Sequence, residues 1–143
     1  MMKIPRAFVG WEVLVVDDEQ DNLEVASRLL KIAGATVTMT SNGVEALQKV
    51  QGRSLPFKFV LSDLSMPDID GWELLYLLQQ EKVMQNIPVI ALTAHAMAGD
   101  RERCIAAGFL DHISKPLDPM SFIQQIVKLL TPLPDYAPLL ETI

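Results

Sequence analysis

Apolar and polar positions change period several times along the chain, and each change marks an element. Glu12 to Val16 is a short β-branched run that stops at Asp17 and Asp18, after which Leu23, Ala26, Leu30 and Ala33 recur at helical spacing until Gly34. Ala35 to Thr40 predicts a second strand, and Asn42 caps a second helix running to about Val50, with Glu45 completing a capping-box-like pair. Phe57 to Leu61 predicts a third strand closing on Ser62 and Asp63, and Leu74, Leu75 and Leu78 mark a third helix after Gly71. Pro88 precedes Val89 to Leu92, a fourth strand ending at Thr93. The fourth helix carries Met97, Arg101 and Ile105 and stops at Gly108. Phe109 to Ile113 predicts a fifth strand ending near Lys115-Pro116, and Asp118 as cap with Pro119 in the first helical position opens a helix bearing Phe122, Ile126 and Leu130.

Five strand–helix alternations with continuously apolar strands predict an α/β fold. A parallel five-stranded sheet would be doubly wound by helices, because parallel strands need crossover connections that cover both faces. Residues 1–11 read as an N-terminal extension, 12–130 as the domain and 131–143 as a short proline-rich tail. No internal repeat is visible.

Composition narrows the class. With 143 residues, half of them hydrophobic, there is material for one core. A formal charge of −6 argues against direct nucleic-acid binding, which needs clustered Lys and Arg to displace counterions. Cys104 is the only cysteine, so no intramolecular disulfide can form. Lys3, Pro5 and Arg6 interrupt the start, and no apolar run approaches the length of a membrane span. The expectation is an unprocessed, soluble, cytoplasmic protein without membrane insertion.

The chemistry sits where the strands end. In an open α/β sheet, ligand sites lie outside the carboxyl ends of the strands, and those ends carry Asp17, Asp18, Asp63, Thr93 and Lys115. Gathered carboxylates repel one another unless a cation neutralises them, which points to a hard divalent ion, Mg²⁺, with Mn²⁺ as the alternative. A carboxylate can attack phosphorus to give an acyl phosphate if the charge on the phosphoryl oxygens is offset. Lys115 and Thr93 are placed to supply that offset, the first as a charge-assisted donor and the second as a neutral one.

Four pieces together carry a resemblance: Val15-Val16-Asp17-Asp18, the run from Ser62-Asp63 through Asp70-Gly71, Leu92-Thr93-Ala94, and Ser114-Lys115-Pro116. In these the chain resembles the response-regulator receiver domains of two-component signalling over roughly residues 12–130. The resemblance implies a flavodoxin-like sheet of order 2-1-3-4-5. It implies Asp63 as phosphoryl acceptor and Mg²⁺ held by Asp18, Asp63 and the backbone carbonyl of Ser65, with Asp17 acting through water. Thr93 would hydrogen-bond the phosphoryl group, Lys115 would pair with it, and the Lys115-Pro116 bond would be cis. A sensor histidine kinase or a histidine phosphotransfer protein would be the donor. A downstream protein would read the face of the fourth helix, fifth strand and fifth helix. The module would be no enzyme toward a separate substrate, although it would promote its own phosphorylation and dephosphorylation.

One position departs from the pattern. Relatives usually carry Tyr or Phe three residues before the conserved lysine as a switch partner of the threonine; here that residue is His112. A smaller, titratable ring implies a weakened or pH-biased switch, against the plainer reading of a tolerated, partly exposed histidine. Ser65 and His95, each two residues beyond a site residue, are candidates for tuning dephosphorylation; a loop histidine without a task is the plainer reading of His95. Cys104 reads as a packing residue. Three other functions are weighed. A flavodoxin-type cofactor binder is disfavoured because Asp17-Asp18-Glu19 would repel a phosphate. A haloacid-dehalogenase-type phosphatase would need an aspartate where Ser65 stands. A pure interaction module is disfavoured by the intact chemical positions. Residues 131–143 are too few for an output domain, so output is expected through partners, from either a stand-alone regulator or a receiver of a hybrid kinase.

Overall fold

The computed structural model describes residues 4–94 and 98–140. Five strands, β1 (Glu12–Val16), β2 (Thr36–Thr40), β3 (Val60–Asp63), β4 (Val89–Thr93) and β5 (Asp111–Ser114), alternate with helices. The helices are α1 (Gln20–Ile32), α2 (Gly43–Val50), α3 (Gly71–Gln79), α4 (Asp100–Ala107) and α5 (Phe122–Leu130), and a short α6 (Ala137–Leu140) follows. All pairings are parallel and the strand order is β2-β1-β3-β4-β5, as the resemblance implied.

Alternation along the strands divides the core in two. Val13, Val15, Phe59, Leu61, Ile90, Leu92 and Ile113 pack with Leu30 of α1 and Ile126 of α5 on one face. Leu14, Val16, Val60, Val89 and Ala91 pack with Ala46, Leu74, Leu78 and Cys104 on the other. Strands buried on both faces explain why they read as continuous apolar runs. Asn42 caps α2 as expected, its side-chain oxygen accepting from the Glu45 N–H at 2.8 Å.

Three boundaries move. The third strand starts at Val60 rather than Phe57: Phe57 and Phe59 are buried, but regular pairing with β1 begins only at Leu14 opposite Val60. The Lys58 N–H already donates to Glu12 at 2.8 Å and the Leu14 N–H to Phe59 at 3.2 Å, so backbone contact begins before the regular register, an onset that apolar periodicity cannot report. The fifth strand starts at Asp111, since the Phe109 N–H is still committed to the Cys104 carbonyl that closes α4. The last long helix starts at Phe122 rather than Pro119. Asp118 accepts from the Met120 N–H at 3.1 Å and from the Ser121 hydroxyl at 2.9 Å, which folds residues 118–121 into a turn, and Ser121 is the N-cap. In the fourth helix, Arg101 and Ile105 lie on α4 as expected, while Met97 falls outside the described residues.

The flanks are also packed. Phe8 and Trp11 before β1, and Tyr136 and Leu140 beyond α5, are buried in the α1–α5 core. Trp11 stacks with Phe8 and meets Phe59 and Tyr136 edge-on.

Candidate functional site

Parallel pairing brings the carboxyl ends of β1, β3, β4 and β5 to one rim, and each backbone end is tied to a neighbour. The Asp17 N–H donates to Thr40 at 3.1 Å, the Leu64 N–H to Leu92 at 3.1 Å and the Lys115 N–H to Thr93 at 2.8 Å. These bonds hold the strand ends side by side at that rim. Asp17, Asp63 and Thr93 are buried, whereas Asp18 is exposed. Carboxylate oxygens of Asp17, Asp18 and Asp63 all lie within 4.8 Å of one another. The Lys115 ammonium reaches in from β5, 2.9 Å from Asp17 Oδ2 and 3.2 Å from Asp63 Oδ2.

Charge is not balanced by these groups alone. Three carboxylates face one ammonium, and Asp17 Oδ2 is buried with an ion pair but no aligned hydrogen bond. Burial first, then the Asp17 charge, pushes the Asp63 carboxyl up to about 6; Lys115 and the Ser65 N–H, 3.2 Å from Oδ1, pull the other way. Burial alone would lower Lys115, but its close contact with the charged Asp17, then with Asp63, holds its ammonium above the ordinary value. A divalent cation beside the three acids would offset their excess charge, so the residues present fit a hard, oxygen-bound ion.

Gly71 reads in the sequence as a helix start and as the close of the Ser62–Gly71 run, and in the structure it also shapes the site. A Cβ there would lie 2.3 Å from the Asp63 carbonyl and 2.8 Å from the Leu64 Cα, so only glycine lets α3 approach the end of β3 this closely. Its N–H donates to Leu64 at 2.9 Å, and Asp70 caps the helix by accepting from the Glu73 N–H at 2.9 Å. The Lys115–Pro116 peptide is cis, in agreement with the resemblance. Ser65 is exposed beside Asp63. His112 is largely enclosed, on β5 opposite Ala91. His95 lies outside the described residues.

The family profile of the response regulator receiver domain matches residues 13–127, nearly the whole sheet and the helices between its strands. The chain belongs to the response regulator receiver domain family. Receivers are the phosphoacceptor modules of two-component signalling, and that role is this chain's. Of similar proteins, the signal transduction histidine-protein kinase BarA of Escherichia coli K12 is 38% identical over 106 residues, which are 74% of this chain and 11% of the kinase. The polar-differentiation response regulator DivK of Brucella anthropi is 35% identical over 114 residues, 80% of this chain and 91% of DivK. This receiver therefore spans nearly all of the one relative and about a tenth of the other. The receiver domain of sensor histidine kinase PA1611 from Pseudomonas aeruginosa PAO1, solved with a magnesium ion coordinated in its active-site cleft, superposes with a TM-score of 0.73 at 31% identity. That match covers 85% of this chain and 96% of the other. Receiver membership sets aside the flavin-binder and phosphatase alternatives. No helix among the described residues of this receiver is long and apolar enough to cross a membrane.

Proposed function

We propose that Asp63 is the phosphoryl acceptor of this receiver, and that Asp18, Asp63 and the Ser65 carbonyl hold Mg²⁺ with Asp17 acting through water. The observation that carries this reading is the buried Asp63 carboxylate with two more carboxylates within 4.8 Å and the Lys115 ammonium at 3.2 Å. When bound, the ion would supply positive charge that offsets the negative charge gathering on the phosphoryl oxygens. An Asp63 oxygen forms the bond to phosphorus as the phosphorus–nitrogen bond of a phosphohistidine donor breaks, and the electron pair stays on the departing imidazole nitrogen. Asp63 must be ionised to attack; with its carboxyl at about 6 it is largely so above neutral pH. Lys115 then turns its ammonium to the incoming phosphoryl oxygens, and the Thr93 hydroxyl donates to them.

The donor is a sensor histidine kinase or a histidine phosphotransfer protein, a reading supported by the kinase-linked relative. The new charge on Asp63 biases the surface formed by α4, β5 and α5, which a downstream protein reads, with Thr93 and His112 as the switch pair. The backbone bond from Lys115 to Thr93 links the threonine to β5 and offers a route for that bias. Self-catalysed phosphorylation and dephosphorylation, the latter tuned by Ser65 and His95, complete the cycle.

The test is intact mass after incubation with a small phosphodonor and Mg²⁺. Wild type gains one phosphoryl group; Asp63→Asn does not, and chelator abolishes the gain. No gain in wild type overturns the assignment, and a gain retained in Asp63→Asn places the acceptor elsewhere.

A further inference from the structure

Helix α4 has an unusual hold on the sheet. Cys104 is its only buried residue; Arg103 lies over the Trp72 ring at 5.3 Å, and Arg101 Nε lies 3.2 Å from Asp111 Oδ2 at the start of the edge strand β5. The next residue along that strand, His112, pairs with Ala91, which packs in the core that also contains Cys104, while Ile113 packs in the opposite core. Strand alternation therefore turns His112 toward the side covered by α4. Its Nδ1 is buried without a hydrogen-bond partner and lies 3.5 Å from Asp111 Oδ1. One carboxylate thus stands between an arginine of α4 and an unsatisfied imidazole nitrogen.

We propose that Arg101, Asp111 and His112 form a proton-operated latch, in which protonation of His112 draws Asp111 away from Arg101 and loosens α4 from β5. Exposure decides which cation wins the carboxylate. The Arg101 side chain is 59% exposed, so its attraction to Asp111 is screened by water, whereas the His112 and Asp111 side chains are 17% and 13% exposed. A cation held that deeply is costly without a partner, and Asp111 is the only acidic side chain within ion-pair distance of the imidazole among the described residues. The titratable groups of the neighbouring elements, among the described residues, are few. Strand β4 has no titratable side chain; α4 contributes Asp100, Arg101, Glu102, Arg103 and Cys104, and β5 itself contributes only Asp111 besides His112. Histidine is the side chain that ordinarily changes charge between pH 5 and 8. The latch is a property of the fold; only its consequence, a partner face that varies with pH, rests on the receiver reading.

Amide hydrogen exchange of residues 103–108 tests it in the full chain, without Mg²⁺ or phosphodonor, at about pH 5.5 and pH 8 after correction for intrinsic rates. Losing one screened ion pair predicts that α4 opens about fivefold more often at the lower pH. His112→Phe, which keeps Asp63 and its own titration, is expected to remove that dependence. Asp111→Asn should leave opening raised and independent of pH, and His95→Gln should keep the wild-type behaviour. A flat wild type, an opposite sign, a dependence surviving in His112→Phe, or its loss in His95→Gln overturns the proposal. Because no phosphorylation step enters, failure here is separate from failure of the Asp63 assignment.

Discussion

At the scale of single residues, Asp63 shows how burial and neighbouring charge set a carboxylate against the stability of its own domain. Its carboxyl is raised from 3.8 to about 6, chiefly by burial and then by Asp17. A folded-state value above the unfolded one means the native protein holds the proton more tightly. That contribution is complete below about pH 4 and is lost as pH rises through 6. Metal-free wild type is therefore expected to lose on the order of 2 kcal/mol relative to Asp63→Asn across this window, with Asp63→Asn the more stable above it. Urea denaturation of both proteins in chelator, from pH 4 to 8, measures the difference; parallel curves would refute it. Asp17, Asp18, Asp63, Thr93 and Lys115 were all legible as candidates because each stands at or just past a strand end, and the fold brings the three aspartates and the lysine together. The direct Lys115 contact with Asp17 at 2.9 Å was not legible, since it depends on how far β5 lies from β1 across the sheet.

Elements were legible where a local rule acts alone and shifted where two rules compete. The Asn42 cap of α2 is local: one side chain satisfies one orphan N–H three residues on. Asn42→Ala is expected to cost about 1 kcal/mol in chemical denaturation with little change in phosphoryl uptake. At the start of α5, Asp118 had a competing use. Its carboxylate takes the Ser121 hydroxyl as well as a backbone N–H, and the turn it closes delays the helix to Phe122. The third strand moved because Phe57 and Phe59 satisfy the apolar pattern through burial at the sheet's end without joining the regular ladder. Helix α4 has little apolar pattern because Cys104 alone of its residues is buried.

At the scale of the whole molecule, segments outside the matched 13–127 region close the end of the core opposite the acidic crevice. The Phe8 N–H donates to Ala33 at 3.0 Å, and Gly34, at φ 102, leaves room for Val9, whose Cγ2 would be 2.7 Å from any Cβ there. Across the chain, the Tyr136 hydroxyl donates to the Lys58 carbonyl at 2.5 Å and its ring meets Trp11. Burial, with Asp135 second, pushes the Tyr136 phenol up to about 12. Tyr136→Phe removes one partner and leaves the Lys58 carbonyl unanswered, so a loss of about 1 to 2 kcal/mol is expected. Trp11→Ala should cost more, about 3 kcal/mol or above, by emptying the centre of the aromatic cluster. Thermal unfolding of both variants decides this; if neither lowers the midpoint, the flanks contribute nothing to the domain.

By itself the sequence determined the alternation of strands and helices, the doubly wound class and a set of candidate residues at the strand ends. Those follow from periodicity and from residue type, which act over a few positions. Tertiary structure decided what depends on distance between segments remote in sequence. It brought α3 so close to β3 that Gly71 is required, set Lys115 between Asp17 and Asp63, seated Tyr136 on Trp11, and left one carboxylate, Asp111, between Arg101 and His112. No local pattern encodes such distances, because they are fixed only when the whole sheet has paired and twisted and the helices have packed upon it.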